Sequence, residues 1–218
     1  MKKISLTLLV ALLGVTMGFS QKFAYVDTEY ILGRIPAYEA AQNQLDKFSS
    51  DWQKEIEKGI DGIVIGHGTD TMHHTAAALS FMVQDSPVPI VMVGSQRSSD
   101  RPSSDAAINL INATRTAATS DIAEVMVCMF GPTSDQYGIL HRGTRVRKMH
   151  SSYRSTFRTL SDIPLAMVDK NGVKPLKQDY KRRRLDKNVT ITPTFDDRVS
   201  LVYYYPGMKP DIIDSLIE

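Results

Sequence analysis

Apolar positions recur with three different spacings along the chain, and each change of spacing marks a boundary. Behind Lys2 and Lys3 the stretch from Ile4 to Val15 is largely apolar, and Gly18 and Ser20 place small residues just before Gln21. That order of charge, apolar run and small residues predicts a cleavable export leader over residues 1–20. The run falls short of the roughly 20 residues a membrane-spanning helix needs, so no stable membrane span is expected after leader cleavage. Lys22 to Leu32 reads as a short strand and turn. Pro36 suits the first turn of a helix running to about Lys58, along which Tyr38, Ala41, Leu45, Phe48, Trp52 and Glu55 or Ile56 recur at spacings of three and four. Residues 21–58 are thus expected to hold a strand and a short coiled-coil helix.

From Ile60 the spacing changes again. The segment IDGIVIGHGTDT is a short apolar run closed by Gly, Thr and Asp, which suits a buried parallel strand opening into a helix. The pattern then predicts a helix over Thr71–Gln84, a strand over Val88–Val93, a helix over Asp105–Ala118 and a strand over Glu124–Phe130. Pro87 and Pro89 separate the first helix from its following strand, and Ser104 is placed to cap the second helix. Each crossover is long enough for parallel pairing. The fold class is therefore α/β, a doubly wound parallel sheet over residues 59–196 whose functional loops lie beyond the carboxyl ends of its strands. VSLVYYYPGMKPDIIDSLIE reads as the first strand and helix of a second α/β domain over residues 197–218.

Composition bounds the partners rather than the fold. At roughly 150 residues per domain, 218 residues make one large domain or one and a half. With 42% hydrophobic and 23% charged residues the chain is an ordinary globular one, neither disordered nor polytopic. A formal charge of +2, from 26 basic and 24 acidic residues, gives no default preference for nucleic acid or anionic lipid. The single cysteine, Cys128, excludes an internal disulfide and a cysteine-based zinc site.

Three polar loops fall at the expected strand ends: His67 to Thr71, Ser95 to Asp105, and Gly143 to His150. In the first, Gly66 and Gly68 allow close backbone approach, and Thr69 and Asp70 stand at a helix N-terminus that favours anionic groups. The same two residues also suit a plain helix cap. In the third, Lys148 lies among Arg145, Arg147 and His150, so like-charge repulsion is expected to depress its pKa and fit it to act as a base. As a solvated basic turn it would carry no chemistry. A hydroxyl, a carboxylate and such a lysine together can move a proton during acyl transfer. His67, His73 and His74 do not share one helical direction and lack a partner carboxylate, so no metal is expected. Cys128 alternates within EVMVCMF as a buried apolar residue, and the run Lys181 to Arg184 is either solvated or a contact for nucleic-acid phosphate.

Two resemblances attach to these segments. QKFAYVDTEYILGRIPAYEAAQNQLDKFSSDWQKEIE resembles the start of the Skp/OmpH family of periplasmic chaperones, over Met1 to about Lys58. That likeness implies an exported, homo-oligomeric chaperone for outer-membrane proteins, although the helical pattern stops at Lys58-Gly59 with no returning helix. GIVIGHGTDTMHHTAAALSFM resembles the second signature of the L-asparaginase family. MVGSQRSSDRPSSDAAINLINA and RGTRVRKMHSSYRSTFRTLSDIP resemble the D-subunit family of archaeal glutamyl-tRNA(Gln) amidotransferases, over about Glu57 to the C terminus. This second resemblance implies an asparaginase-type α/β domain followed by a smaller one. It implies a cytoplasmic subunit that deamidates glutamine and supplies ammonia to a partner E subunit working on tRNA(Gln). The side-chain amide of glutamine or asparagine would be the substrate, and no cofactor is implied. By resemblance Thr69 and Asp70 are the signature threonine and aspartate and Lys148 is the active-site lysine. In the family these assist a threonine nucleophile while backbone donors hold the oxyanion. The Thr-Gly-Gly-Thr segment that supplies the nucleophile, at the end of an N-terminal first strand, has no counterpart before Asp61. The expectation is therefore a mosaic joined near residues 55–59, an asparaginase-like sheet lacking its first strand and inactive alone.

Overall fold

The computed structural model describes residues 60–131, 136–184, 189–192, 194–196, 199 and 201–217. The leader, strand and coiled-coil helix expected over residues 1–58 lie outside this set. The chain divides into two units, residues 41–196 and residues 1–40 with 197–218.

In the larger unit five of the first six elements follow the apolar pattern closely, a two-residue strand after the first helix being the addition. Strand β1 (Ile63–Gly66) leads through a turn into helix α1 (Met72–Met82), followed by the two-residue strand β2 (Val83–Gln84). Strand β3 (Ile90–Val93), helix α2 (Ala106–Thr119) and strand β4 (Val125–Phe130) complete two β-α-β crossovers. Both the β1–β3 and β3–β4 pairs are parallel, with Ile63 opposite Ile90 and Ile90 opposite Val125. Strands β3 and β4 are continuous apolar runs because both of their faces are covered. Ile90, Met92, Val125, Val127 and Met129 pack with α1, whereas Val91, Val93, Met126 and Cys128 pack on the opposite side with Ala113 and Ala117 of α2. Helix α1 begins two residues beyond Asp70 and its first buried residue, Met72, anchors that turn to the core. Ser104 lies one position before the N-cap, Asp105, and its hydroxyl receives the Ala106 N–H at 3.1 Å.

Beyond β4 the structure departs from the expected all-parallel sheet. The main sheet runs β1-β3-β4-β5-β8-β9, where β5 is Gly138–Arg142, β8 is Ala166–Asp169 and β9 is Gly172–Pro175. The β4–β5, β5–β8 and β8–β9 pairs are antiparallel, so the sheet is mixed. The connection from Phe130 to Gly138 is too short for a helical crossover, and Lys170-Asn171 turns β8 directly into β9. Asn171-Gly172 is the hairpin signal for that reversal, and Gly172 takes a φ of +122°. A side hairpin of β6 (Val146–Lys148) and β7 (Phe157–Thr159) folds out between β5 and β8, and β10 (Thr190–Ile191) pairs with β2. At the opposite margin of the described sheet, Ile63, Val64 and Ile65 of β1 are only partly buried.

In the smaller unit, helix α3 (Asp211–Ile217) appears where the apolar pattern places it. Residues 201–205, expected as a strand, have no strand pairing, and Leu201, Tyr203 and Tyr204 are exposed.

Candidate functional site

The first polar loop is held from below. As β1 ends, the His67 N–H donates to Val93 O at 2.8 Å, extending the parallel pairing by one residue. Gly94 follows β3 directly, and a Cβ there would stand 2.5 Å from the His67 carbonyl oxygen and 3.2 Å from the Thr69 methyl. Only glycine lets the loop settle this close. The His67 ring then ties the loop laterally. Its Nδ1 lies 2.6 Å from Gly68 O, which can only accept, so Nδ1 carries the hydrogen, and its Nε2 lies 3.0 Å from the Thr75 hydroxyl on α1. Thr69 and Asp70 are thereby presented at the carboxyl end of β1, next to the start of α1.

Lys148 arrives from 79 residues away. Its Nζ donates to Thr69 Oγ1 at 2.9 Å and to Asp70 Oδ1 at 2.6 Å. The segment expected as a third loop is in fact the β6 strand, and strand alternation decides where each side chain goes. Val146 is buried and Lys148 stands on its face, whereas Arg147 between them is exposed on the other. The expected like-charge company of Arg145, Arg147 and His150 is thus replaced by a carboxylate of opposite sign. The Lys148 side chain is 7% exposed and that of Asp70 is 89% exposed. The hydrogen bond from Lys148, and then its charge, hold the Asp70 carboxyl below the usual carboxylate range.

The second loop owes its shape to groups that the sequence pattern does not single out. Asp105 is buried, and its carboxylate receives the Gln96 N–H at 3.1 Å, the Arg97 N–H at 2.9 Å and the Asn109 Nδ2 at 2.8 Å. Asn109 also donates to Gly94 O at 3.0 Å, which links α2 to the glycine under the first loop. Gln96 Nε2 bridges to Ser151 O and Tyr153 O, each at 3.2 Å, joining the second loop to the segment after β6. Its Oε1 is buried without a partner. A buried Asp at a helix N-terminus with Asn four residues on is the sequence signal for this knot. The Gln96 bridge has no local signal at all.

The remaining candidates have other roles. Cys128 is buried in the core and burial pushes its thiol up to about 12, as suits an apolar filler. The His73 and His74 rings stack with centroids 4.0 Å apart, and among the described residues no group of three or more His, Cys, Asp and Glu could hold a metal ion. Three of the four cations in Lys181–Arg184 are committed to carboxylates: Lys181 to Asp85 at 2.8 Å, Arg182 to Asp121, and Arg183 to Asp61 at 3.6 Å. Among the described residues no helix is long and apolar enough to cross a membrane.

The mixed α/β fold matches a known class. The family described as "Asparaginase, N-terminal" matches residues 12–181, and the chain belongs to that family. Within it, the chain is similar to proteins named as the D subunit of glutamyl-tRNA(Gln) amidotransferase. The one from Pyrococcus horikoshii is 51% identical over 173 residues, 79% of this chain and 39% of that protein. The one from Pyrococcus furiosus is 54% identical over 166 residues, 76% and 37%. That of Methanosphaera stadtmanae is 53% identical over 165 residues, 75% and 37%. The chain spans about two fifths of the length of these relatives. Among solved structures, the thermostable L-asparaginase from Thermococcus kodakarensis superposes with a TM-score of 0.68 at 28% identity, covering 80% of this chain and 50% of that one. L-asparaginase I from Vibrio cholerae gives 0.65 at 30% identity, 81% and 50%.

Proposed function

We propose that residues 59–196 form the amide-binding and proton-handling part of a glutamine amidohydrolase, the ammonia-supplying subunit of a tRNA-dependent amidotransferase. The observation that carries this reading is the convergence of Lys148 Nζ on Thr69 Oγ1 and Asp70 Oδ1. Thr69 accepts the bond from Lys148, which leaves its own hydroxyl hydrogen free to be given to a ligand or a departing group. Lys148 has a third donor direction, and Asp70 can hold an ammonium group of an amino-acid substrate while it orients the lysine. These are roles of a relay beside a nucleophile rather than of a nucleophile.

The 218 residues contain no Thr-Gly-Gly-Thr segment before Asp61. We therefore infer that this chain alone binds the side-chain amide substrate without turning it over. Calorimetry with glutamine and with asparagine, run beside an ammonia-release assay, tests this. Saturable heat that disappears in Thr69→Val and Lys148→Met, with no ammonia released, is the expected outcome. Ammonia release that both variants leave intact overturns the site assignment.

By the same reading the partners are an amidotransferase E subunit and tRNA(Gln), and the compartment is the cytoplasm. Co-purification with an archaeal E subunit checks the first and sequencing of the mature N terminus the second. The alternative, a Skp/OmpH-like start over residues 21–58 that makes the chain an exported mosaic, rests on the N-terminal sequence alone, and an asparaginase match reaching back to residue 12 weighs against it.

A further inference from the structure

The outer face of the β6–β7 hairpin collects positive charge with nothing to balance it. Arg147 stands directly opposite Arg158 in the antiparallel register, an arrangement that costs stability when both partners are cations. Arg147 also lines a cavity of about 290 Å³ together with Arg145, His73 and His74. No carboxylate lines this cavity, and neither Arg145 nor Arg147 has an ion pair among the described residues. The larger cavity of about 820 Å³, which shares Thr144 with this one, is lined by more cations, but there Arg142, Lys181 and Arg183 each face a carboxylate. Charge alone therefore separates a closed network from an open one.

His73 also lines the cavity. Its Nδ1 is buried without a hydrogen-bond partner among the described residues, and its ring is tilted by 40° against that of His74. Burial first, then the charges of His74, Arg147 and Lys148, hold His73 below the usual histidine range. Lys148 is matched by Asp70, which leaves the two guanidinium groups as the uncompensated charge facing the cavity. Two guanidinium forks set beside imidazole rings are the donor set that recognises a phosphate group bidentately.

We propose that the cavity lined by His73, His74, Arg145 and Arg147 binds a phosphate dianion, either inorganic phosphate or the head of a small phosphomonoester. The site borders the strand that carries Lys148, with Val146 and Arg147 in its lining, and does not depend on the amidohydrolase reading. The bound anion supplies the charge that the hairpin lacks and gives the histidine rings an acceptor.

The test follows the His73 and His74 ring resonances of the full chain by NMR at constant ionic strength, with inorganic phosphate and glycerol 3-phosphate in separate titrations. Saturable shifts are expected with both, and the tighter of the two identifies the source. Arg145→Gln and Arg147→Gln, both at exposed positions, are each expected to weaken binding by about tenfold, the loss of one charge-assisted contact. Dimethyl phosphate, a monoanion of similar shape, should bind about tenfold more weakly than phosphate. Shifts that do not saturate, that persist in the double variant, or that dimethyl phosphate reproduces at equal concentration would each overturn the proposal.

Discussion

The two ends of the sheet handle a basic side chain in opposite ways. At the amino end of β4, Arg142 meets Glu124 through two parallel bonds, Nε to Oε2 at 2.7 Å and Nη2 to Oε1 at 2.9 Å, with both side chains mostly covered. Nη2 also donates to Asp179 O at 2.6 Å, and Glu124 receives the Lys181 N–H at 2.9 Å. Every group there has several partners, and the knot fastens β4, β5 and the 177–184 segment together. At the carboxyl end of β1, Lys148 is more deeply covered than Arg142, yet its ionic partner is a carboxylate that stands in solvent. A fully partnered ion pair is a fastening. A covered lysine with one exposed partner is a group that a ligand can engage, and this is the difference that separates structure from candidate chemistry in this molecule.

Breaking the fastening should therefore have the largest effect on stability. Glu124→Gln leaves the Arg142 guanidinium with only the longer 3.9 Å approaches to Asp162 and Asp179, and about 3 kcal/mol of unfolding free energy should be lost, the low end of the range for a broken buried pair. Urea unfolding at neutral pH measures it, and a loss within the few tenths typical of surface pairs would erase the contrast between the two ends. Gly94→Ala comes next. The added methyl collides with the His67 carbonyl oxygen, which should cost about 2 kcal/mol and push Thr69 and Asp70 away from Lys148. The same variant should also lose glutamine binding, which Glu124→Gln should retain in its folded fraction.

An intermediate effect belongs to the hinge between the ends. His141 on β5 is buried, and its Nδ1 lies 2.8 Å from the Thr159 hydroxyl on β7, tying the hairpin that carries Lys148 to the main sheet. Burial, and then the charge of Arg158, push its pKa down to about 3. A base held below its unfolded value of about 6.5 is neutral in the fold while the unfolded chain takes up a proton. This contribution is fully present above about pH 6.5 and is lost as the pH falls from there toward 3, at a slope approaching about 1.4 kcal/mol per pH unit. His141→Gln should flatten the acid side of the stability profile. An unchanged slope would place the acid sensitivity elsewhere.

What is legible in the sequence follows the same division. IVMV and VMVCMF announce strands covered on both faces, and in α1 the buried Met72, Ala76, Leu79 and Met82 recur at three and four, because burial of apolar area is a local, periodic property. Thr69 and Asp70 are legible for the same reason, since a strand end running into a helix start is a local event. Lys148 is legible as a residue but not as a contact. Its neighbours in sequence are cations, and only the pleat of β6 turns it away from Arg147 and toward a carboxylate 78 positions distant. The antiparallel half of the sheet is hidden because polar residues such as His141 in β5 and Asp169 in β8 blur the apolar run. The Asn171-Gly172 turn is the one local cue to it. Gln96 joins two loops through backbone carbonyls, a kind of contact that leaves no pattern in residue type.

The smallest stability effect is expected at the site itself, and it is the sharpest test of the contrast. Asp70→Asn removes a carboxylate that is almost fully solvated, so the urea midpoint at neutral pH should stay within error of the parent. The hydrogen bond from Lys148 lowers the Asp70 carboxyl from its usual value of 3.8, so whatever stability the pair contributes is present above that value. It fades as the pH falls below that value toward the lowered pKa of the folded carboxyl, at the acid end of the range over which His141 acts. Glutamine binding should nonetheless be lost in Asp70→Asn, because the amide side chain no longer holds Lys148 by charge nor offers a charged acceptor to a ligand ammonium. If Asp70→Asn costs as much stability as Glu124→Gln, Lys148 is fastened in the same way as Arg142 and the carboxyl end of β1 is scaffold. If stability holds and binding goes, the two ends differ as their partners say they do.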